Sequence, residues 1–168
     1  IDSDKKQINV VFQVSNNDVA LRYELPVWGE TMACVVEKEV TGFKFPSETT
    51  TFLSPMMESM GGFARTAPSY ESSYTADVPM ETNTAQGGYV FPGLFKVGVN
   101  GWVLLSETGV SSQYYASHLS KYKDGIYTVD HPDMKTNNGF GSTGAQVALP
   151  GVTPWRTITV GETLKPIV

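Results

Sequence analysis

Apolar and polar positions alternate along this chain in short runs, each about the length of a strand. Ile8-Asn9-Val10-Val11-Phe12-Gln13-Val14 is β-branched and aromatic with polar interruptions. It ends at Ser15-Asn16-Asn17-Asp18, residue types that favour turns by bonding their own backbone. Val19, Leu21 and Tyr23 then alternate with Ala20, Arg22 and Glu24 until Pro26, the period of two of a half-buried strand. The pair predicts a β-hairpin. A longer run from Ala33 to Phe45 offers Val35, Val36, Val40, Phe43 and Phe45 to a core, and Cys34 within it reads as a small buried hydrophobe. Residues 49–66, rich in Met and Gly, read as an irregular loop over the sheet. Tyr70, Tyr74 and Val78 mark an extended piece.

Leu94 to Val99 and Trp102 to Leu105 flank Gly98–Gly101 and predict a second hairpin. Further strands are expected at 126–129, 146–149 and 156–160, the last with clean alternation. Only 113–119 could form a turn or two of helix. With 16 glycines and 10 prolines scattered as turns, the pattern predicts an all-β fold, an antiparallel β-sandwich, as one domain over residues 1–168.

Composition narrows the chemistry. No apolar run approaches the roughly 20 residues of a membrane helix, so no membrane span is expected. The formal charge of −5 argues against nucleic acid, where Lys and Arg must neutralise phosphates. The single cysteine excludes an internal disulfide framework and a cysteine-based zinc cluster. The first residues include no initiator Met and no apolar signal stretch, so the chain reads as processed or excised.

Candidate chemistry is sparse. His118 and His131 lack the spacing of a metal pair, and Asp130-His131-Pro132-Asp133 reads as a turn carrying an exposed histidine. Gly139-Phe140-Gly141-Ser142-Thr143-Gly144 has the letters of a dinucleotide fingerprint without the strand and helix its mechanism needs, so it reads as a loop. Glu107 stands apart because it ends the apolar run Trp102-Val103-Leu104-Leu105, where a carboxylate is either a strand-end cap or a ligand. Trp28 and Trp102 sit in strand-like settings that usually mean core.

Several stretches together resemble the N-terminal domain of glycoside hydrolase family 97. Asn17-Asp18-Val19-Ala20-Leu21-Arg22-Tyr23-Glu24-Leu25-Pro26 is similar to the family's "DGVAFRYELP" hairpin. It is followed in order by Phe43-Lys44-Phe45-Pro46, Tyr70-Glu71-Ser72-Ser73-Tyr74, Val103-Leu104-Leu105-Ser106-Glu107 and Thr153-Pro154-Trp155-Arg156-Thr157-Ile158-Thr159-Val160-Gly161. The resemblance implies an accessory β-sandwich packed on a catalytic (β/α)8 barrel of the same parent protein, the barrel carrying the catalytic carboxylates. This chain by itself is then not catalytic.

The family's members are calcium-dependent, exo-acting α-glucosidases or α-galactosidases that cleave α-linked oligosaccharides and are often periplasmic or secreted. In them the glutamate after the "LL-(S/T)" strand helps hold the calcium, and Glu107 matches that position. Where members commonly follow it with an acidic, aromatic stretch such as "ADL-x-DY", this chain has Thr108-Gly109-Val110-Ser111-Ser112-Gln113-Tyr114. Trp155 and Arg156 are read as structural, an aromatic anchor beside an arginine that bonds backbone carbonyls. The alternative is a stand-alone carbohydrate-binding module with an aromatic platform from Tyr114, Tyr115 and Tyr122. A third possibility, a structural sandwich at a protein interface, would show a large apolar patch.

Overall fold

The computed structural model describes residues 6–56, 73–82, 85, 87–114, 117–131 and 144–167. The first hairpin forms as its alternation predicts: β1 (Asn9–Val14) pairs antiparallel with β2 (Asp18–Leu25), in register from Asn9 with Glu24 to Val14 with Val19. The second forms too, from β7 (Gly93–Val97) and β8 (Gly101–Thr108). β13 (Trp155–Gly161) lies between β2 and β8 and joins the two hairpins into one sheet. β5 (Thr50–Leu53) and β6 (Thr75–Pro79) extend it beyond β7, giving the order β1-β2-β13-β8-β7-β5-β6, and β12 (Gly151–Val152) pairs with the end of β2.

Two small antiparallel sheets complete the architecture. One is β4 (Gly42–Lys44), β10 (Ile126–Asp130) and β9 (His118–Leu119); the other is β3 (Ala33–Val36) with β11 (Ala145–Ala148). The three-stranded sheet packs on the large one over a core of Leu53, Phe95 and Leu105 against Phe43, Leu119, Tyr127 and Val129. Phe95 is fully buried, stacked on Phe45 at 4.2 Å between ring centroids and edge-on to Tyr127 at 5.4 Å. A second cluster, Leu25, Tyr114, Ala145, Val147 and Leu149, sits under the two-stranded sheet. The fold is an antiparallel β-sandwich, as expected.

Three expectations are corrected. The run from Ala33 to Phe45 is two strands in different sheets, and Val35 and Val40 are exposed rather than core. The start of the expected loop at 49–66 is strand β5, whose Thr51 and Leu53 are buried; residues 57–66 lie outside the described residues. Ser111 to Tyr114 is a tight turn, closed by Tyr114 N–H donating to Ser111 C=O, and His118-Leu119 is a strand, so 113–119 supplies no helix among the described residues. Cys34 is half-buried against the second cluster, where burial raises its thiol pKa over the opposing pull of Lys6. Tyr70 and, except for Gly144, the glycine-rich stretch 139–144 fall outside the described residues.

Candidate functional site

Side chains on a strand alternate between faces, and residues paired across strands share one. One such row runs Phe12, Leu21, Arg156, Glu107 across β1, β2, β13 and β8 on the inner face of the large sheet. Trp155, one position away, must therefore point outward. There the Arg22 guanidinium lies 4.5 Å from its ring centroid, a cation–π contact. The adjacent residues Trp155 and Arg156 thus serve opposite faces of one strand.

Arg156 is fully buried and every side-chain nitrogen has a partner. Nε donates to Glu39 Oε1 at 2.9 Å and Nη2 to Glu39 Oε2 at 2.6 Å, a two-pronged ion pair. Nη1 donates to Glu107 Oε2 at 2.5 Å and to Ser117 Oγ at 2.7 Å. The arginine therefore engages side-chain carboxylates, not the backbone carbonyls expected from its sequence setting. Burial alone would favour losing its charge; the hydrogen bond and charge of Glu39, then the charges of Glu107 and Tyr114, outweigh it and hold the guanidinium above its ordinary pKa.

The two carboxylates differ in how far they are satisfied. Glu39, in the connection between β3 and β4, also accepts from Thr41 Oγ1 at 2.9 Å on Oε1 and from Tyr114 OH at 3.3 Å on Oε2. Each of its oxygens thus has one guanidinium and one hydroxyl donor. In Glu107, Oε2 takes Arg156 and the Ser117 hydroxyl at 2.6 Å, whereas among the described residues Oε1 takes only the Ser117 N–H, at 3.1 Å, which also reaches Oε2 at 3.4 Å. The Glu107 side chain is 10% exposed against 3% for Glu39. Glu107 is thus a cap for Ser117 with one oxygen still able to accept.

Histidines border the network. His131 is half-buried beside Tyr114, ring centroids 5.6 Å apart with Nε2 3.3 Å from the phenol oxygen, which replaces the expected exposed loop histidine. His118 is buried. Burial is the main cause of a lowered pKa at both. Glu39 and Ser117 escape sequence reading. Glu39 sits in Glu37-Lys38-Glu39, a charged run of the kind normally found solvated, and no periodicity distinguishes it. The aromatic platform also changes. Tyr114 is buried with its hydroxyl on Glu39, Tyr122 packs 5.5 Å from Tyr127, and Tyr115 lies outside the described residues.

Calcium takes roughly 6 to 8 oxygen ligands. Among the described residues no group of three or more acidic, histidine or cysteine side chains converges on a metal position. Glu39 has no oxygen left to offer. Glu107 Oε1, a hard carboxylate oxygen with one donor, suits calcium as a single ligand and could complete a shell supplied mainly from elsewhere. No helix among the described residues is long and apolar enough to cross a membrane.

Fold and site define an antiparallel β-sandwich with a buried arginine–dicarboxylate cluster on its inner face. The chain belongs to the glycosyl-hydrolase 97 N-terminal family, whose family model matches residues 1–168. A solved structure described as a beta-arabinopyranosidase is similar to it at 51% identity, with a TM-score of 0.90, over 98% of this chain and 27% of that one. A glycoside hydrolase family 97 enzyme from Pseudoalteromonas sp. strain K8, in complex with acarbose, is similar at 25% identity, with a TM-score of 0.71, over 95% of this chain and 22% of that one. A complex from the same strain with panose gives 25% identity and a TM-score of 0.70 over the same shares. The chain therefore spans about a quarter of the length of these solved relatives. Among curated proteins no match is found.

Proposed function

We propose that this chain is the accessory sandwich of an exo-acting, calcium-dependent glycosidase, packing on a catalytic barrel and lending Glu107 to the metal beside the substrate. The observation that carries the proposal is the asymmetry of Glu107. One oxygen is held by Arg156 and Ser117, and among the described residues the other accepts a single N–H. Charge points the same way. One guanidinium faces two carboxylates, so among the described residues the ion pairs leave one negative charge unmatched, which favours a nearby cation. Bound calcium would polarise a substrate oxygen as a Lewis acid. This chain's part is to hold one carboxylate at fixed orientation, and with the family's habits the enzyme would work in the periplasm or outside the cell.

Substrate preference can be narrowed. The 51% identical relative is described as a beta-arabinopyranosidase, whereas those with acarbose and panose, compounds of the gluco series, are 25% identical. A β-L-arabinopyranosyl ring has the ring configuration of an α-D-galactopyranosyl ring and lacks only its hydroxymethyl group. These identities favour a galacto-configured terminal sugar over glucose. In the full-length enzyme, kcat/KM for 4-nitrophenyl β-L-arabinopyranoside and α-D-galactopyranoside should each exceed that for the α-D-glucopyranoside. A preference for the glucoside would overturn the sugar assignment. Glu107→Gln should lower both kcat/KM and calcium affinity by more than tenfold, and unchanged calcium titration would remove Glu107 from the site.

The alternative of a stand-alone sugar-binding module loses one of the three tyrosines of its platform with Tyr114 buried. Calorimetry with galacto- and gluco-configured oligosaccharides on this chain distinguishes the two, since saturable binding would favour the module.

A further inference from the structure

We infer that Glu39 is a positioning residue for Glu107, acting through Arg156; this rests on the reading of Glu107 as a metal ligand. A lone arginine side chain carries several flexible torsions and could present Nη1 over a wide range. Here two of its three nitrogens are spent on Glu39, at 2.9 and 2.6 Å, which fixes the plane of the guanidinium. The third nitrogen is thereby aimed at Glu107 Oε2 and Ser117 Oγ. Paired planar groups of this kind have one preferred geometry.

Glu39 is itself held from behind. Thr41 Oγ1 and Tyr114 OH occupy its remaining acceptor positions, and Tyr23 OH lies 2.9 Å from Thr41 Oγ1. The chain of contacts therefore runs from Tyr23 and Thr41 through Glu39 and Arg156 to Glu107. It spans β2, the β3–β4 connection, β13 and β8, so the orientation of the outermost carboxylate is set by four separate segments. Glu39 is closed to a ligand and Glu107 is half open, which divides the roles of the two acids. Groups that hold a ligating carboxylate are commonly worth about 10- to 100-fold in metal affinity.

The test uses the full-length enzyme and calcium alone, titrated calorimetrically at a temperature where circular dichroism shows each variant folded. Glu39→Gln keeps the shape and removes the charge that holds Arg156, and should weaken calcium binding by about 10- to 100-fold. Glu39→Asp, with the carboxylate retained, should recover part of the loss. A folded Glu39→Gln enzyme with wild-type calcium affinity overturns the positioning role, whereas wild-type affinity in Glu107→Gln overturns the reading beneath it. Should Glu39→Gln not fold, Tyr114→Phe and Thr41→Val each remove one hydroxyl from Glu39. A weaker calcium affinity in both supports the inference, and wild-type affinity in both overturns it.

Discussion

Among the described residues two arginines pair with glutamate at 2.6 Å, and their surroundings give those pairs different weight. Arg22 with Glu24 leaves about a third of each side chain in water, where such pairs contribute roughly 0–1 kcal/mol. Arg156 with Glu39 is fully enclosed. Arg156→Met would leave two buried carboxylates without their cation, and should cost about 3–5 kcal/mol. Arg22→Met should cost under about 1 kcal/mol. Urea denaturation of both variants measures the contrast.

The histidines give a pH dependence. His118 and His131 have lowered pKa values, chiefly from burial, so the unfolded chain binds more protons than the folded one as pH falls. Stability is then complete above the unfolded histidine value of about 6.5 and is lost progressively as pH falls from there through the lowered values of the folded chain. Scanning calorimetry from about pH 7.5 to 5.5 should show a falling Tm, and His131→Gln should flatten the fall. Of this site, Glu107 and Arg156 were legible, one as a carboxylate closing an apolar run and the other in a distinctive motif. Glu39 was not, because a glutamate in a charged loop looks solvated until the fold closes over it.

At the level of elements, alternation located the hairpins and the closing strand because one face of each is buried and the other is not. It failed where a strand is too short to show a period, as in β5, or where two strands run together without a turn signal, as in β3 and β4. Gly88 shows what local sequence leaves open. It has φ of +81° and a Cβ there would lie on the Leu119 carbonyl oxygen, at the crossing where Tyr89 and Leu119 exchange backbone hydrogen bonds of 2.8 Å. Gly88→Ala should cost at least about 1–2 kcal/mol from the left-handed backbone alone, with the clash added. A Tm no lower than wild type would show that this crossing relaxes.

For the whole molecule, the inner face of the large sheet is only partly covered. Its core-facing row continues onto β1, at the sheet edge among the described residues, where Val10, Phe12 and Val14 are 48%, 61% and 71% exposed. An apolar edge of this kind promotes strand-to-strand association. By itself the chain should therefore self-associate with rising concentration, and Phe12→Lys should shift it toward monomer with little change in Tm. Sedimentation velocity at several concentrations measures this, and equal association by both chains would place the contact elsewhere.

Read along the chain alone, local periodicity and motifs establish a β protein, its two hairpins and its family, because each of those properties resides in neighbouring residues. Tertiary structure alone decided which acid is sealed and which is open. That choice depends on Glu39, Glu107 and Arg156 meeting from segments up to 117 residues apart, and the energy of a charge depends on what encloses it rather than on its neighbours in sequence.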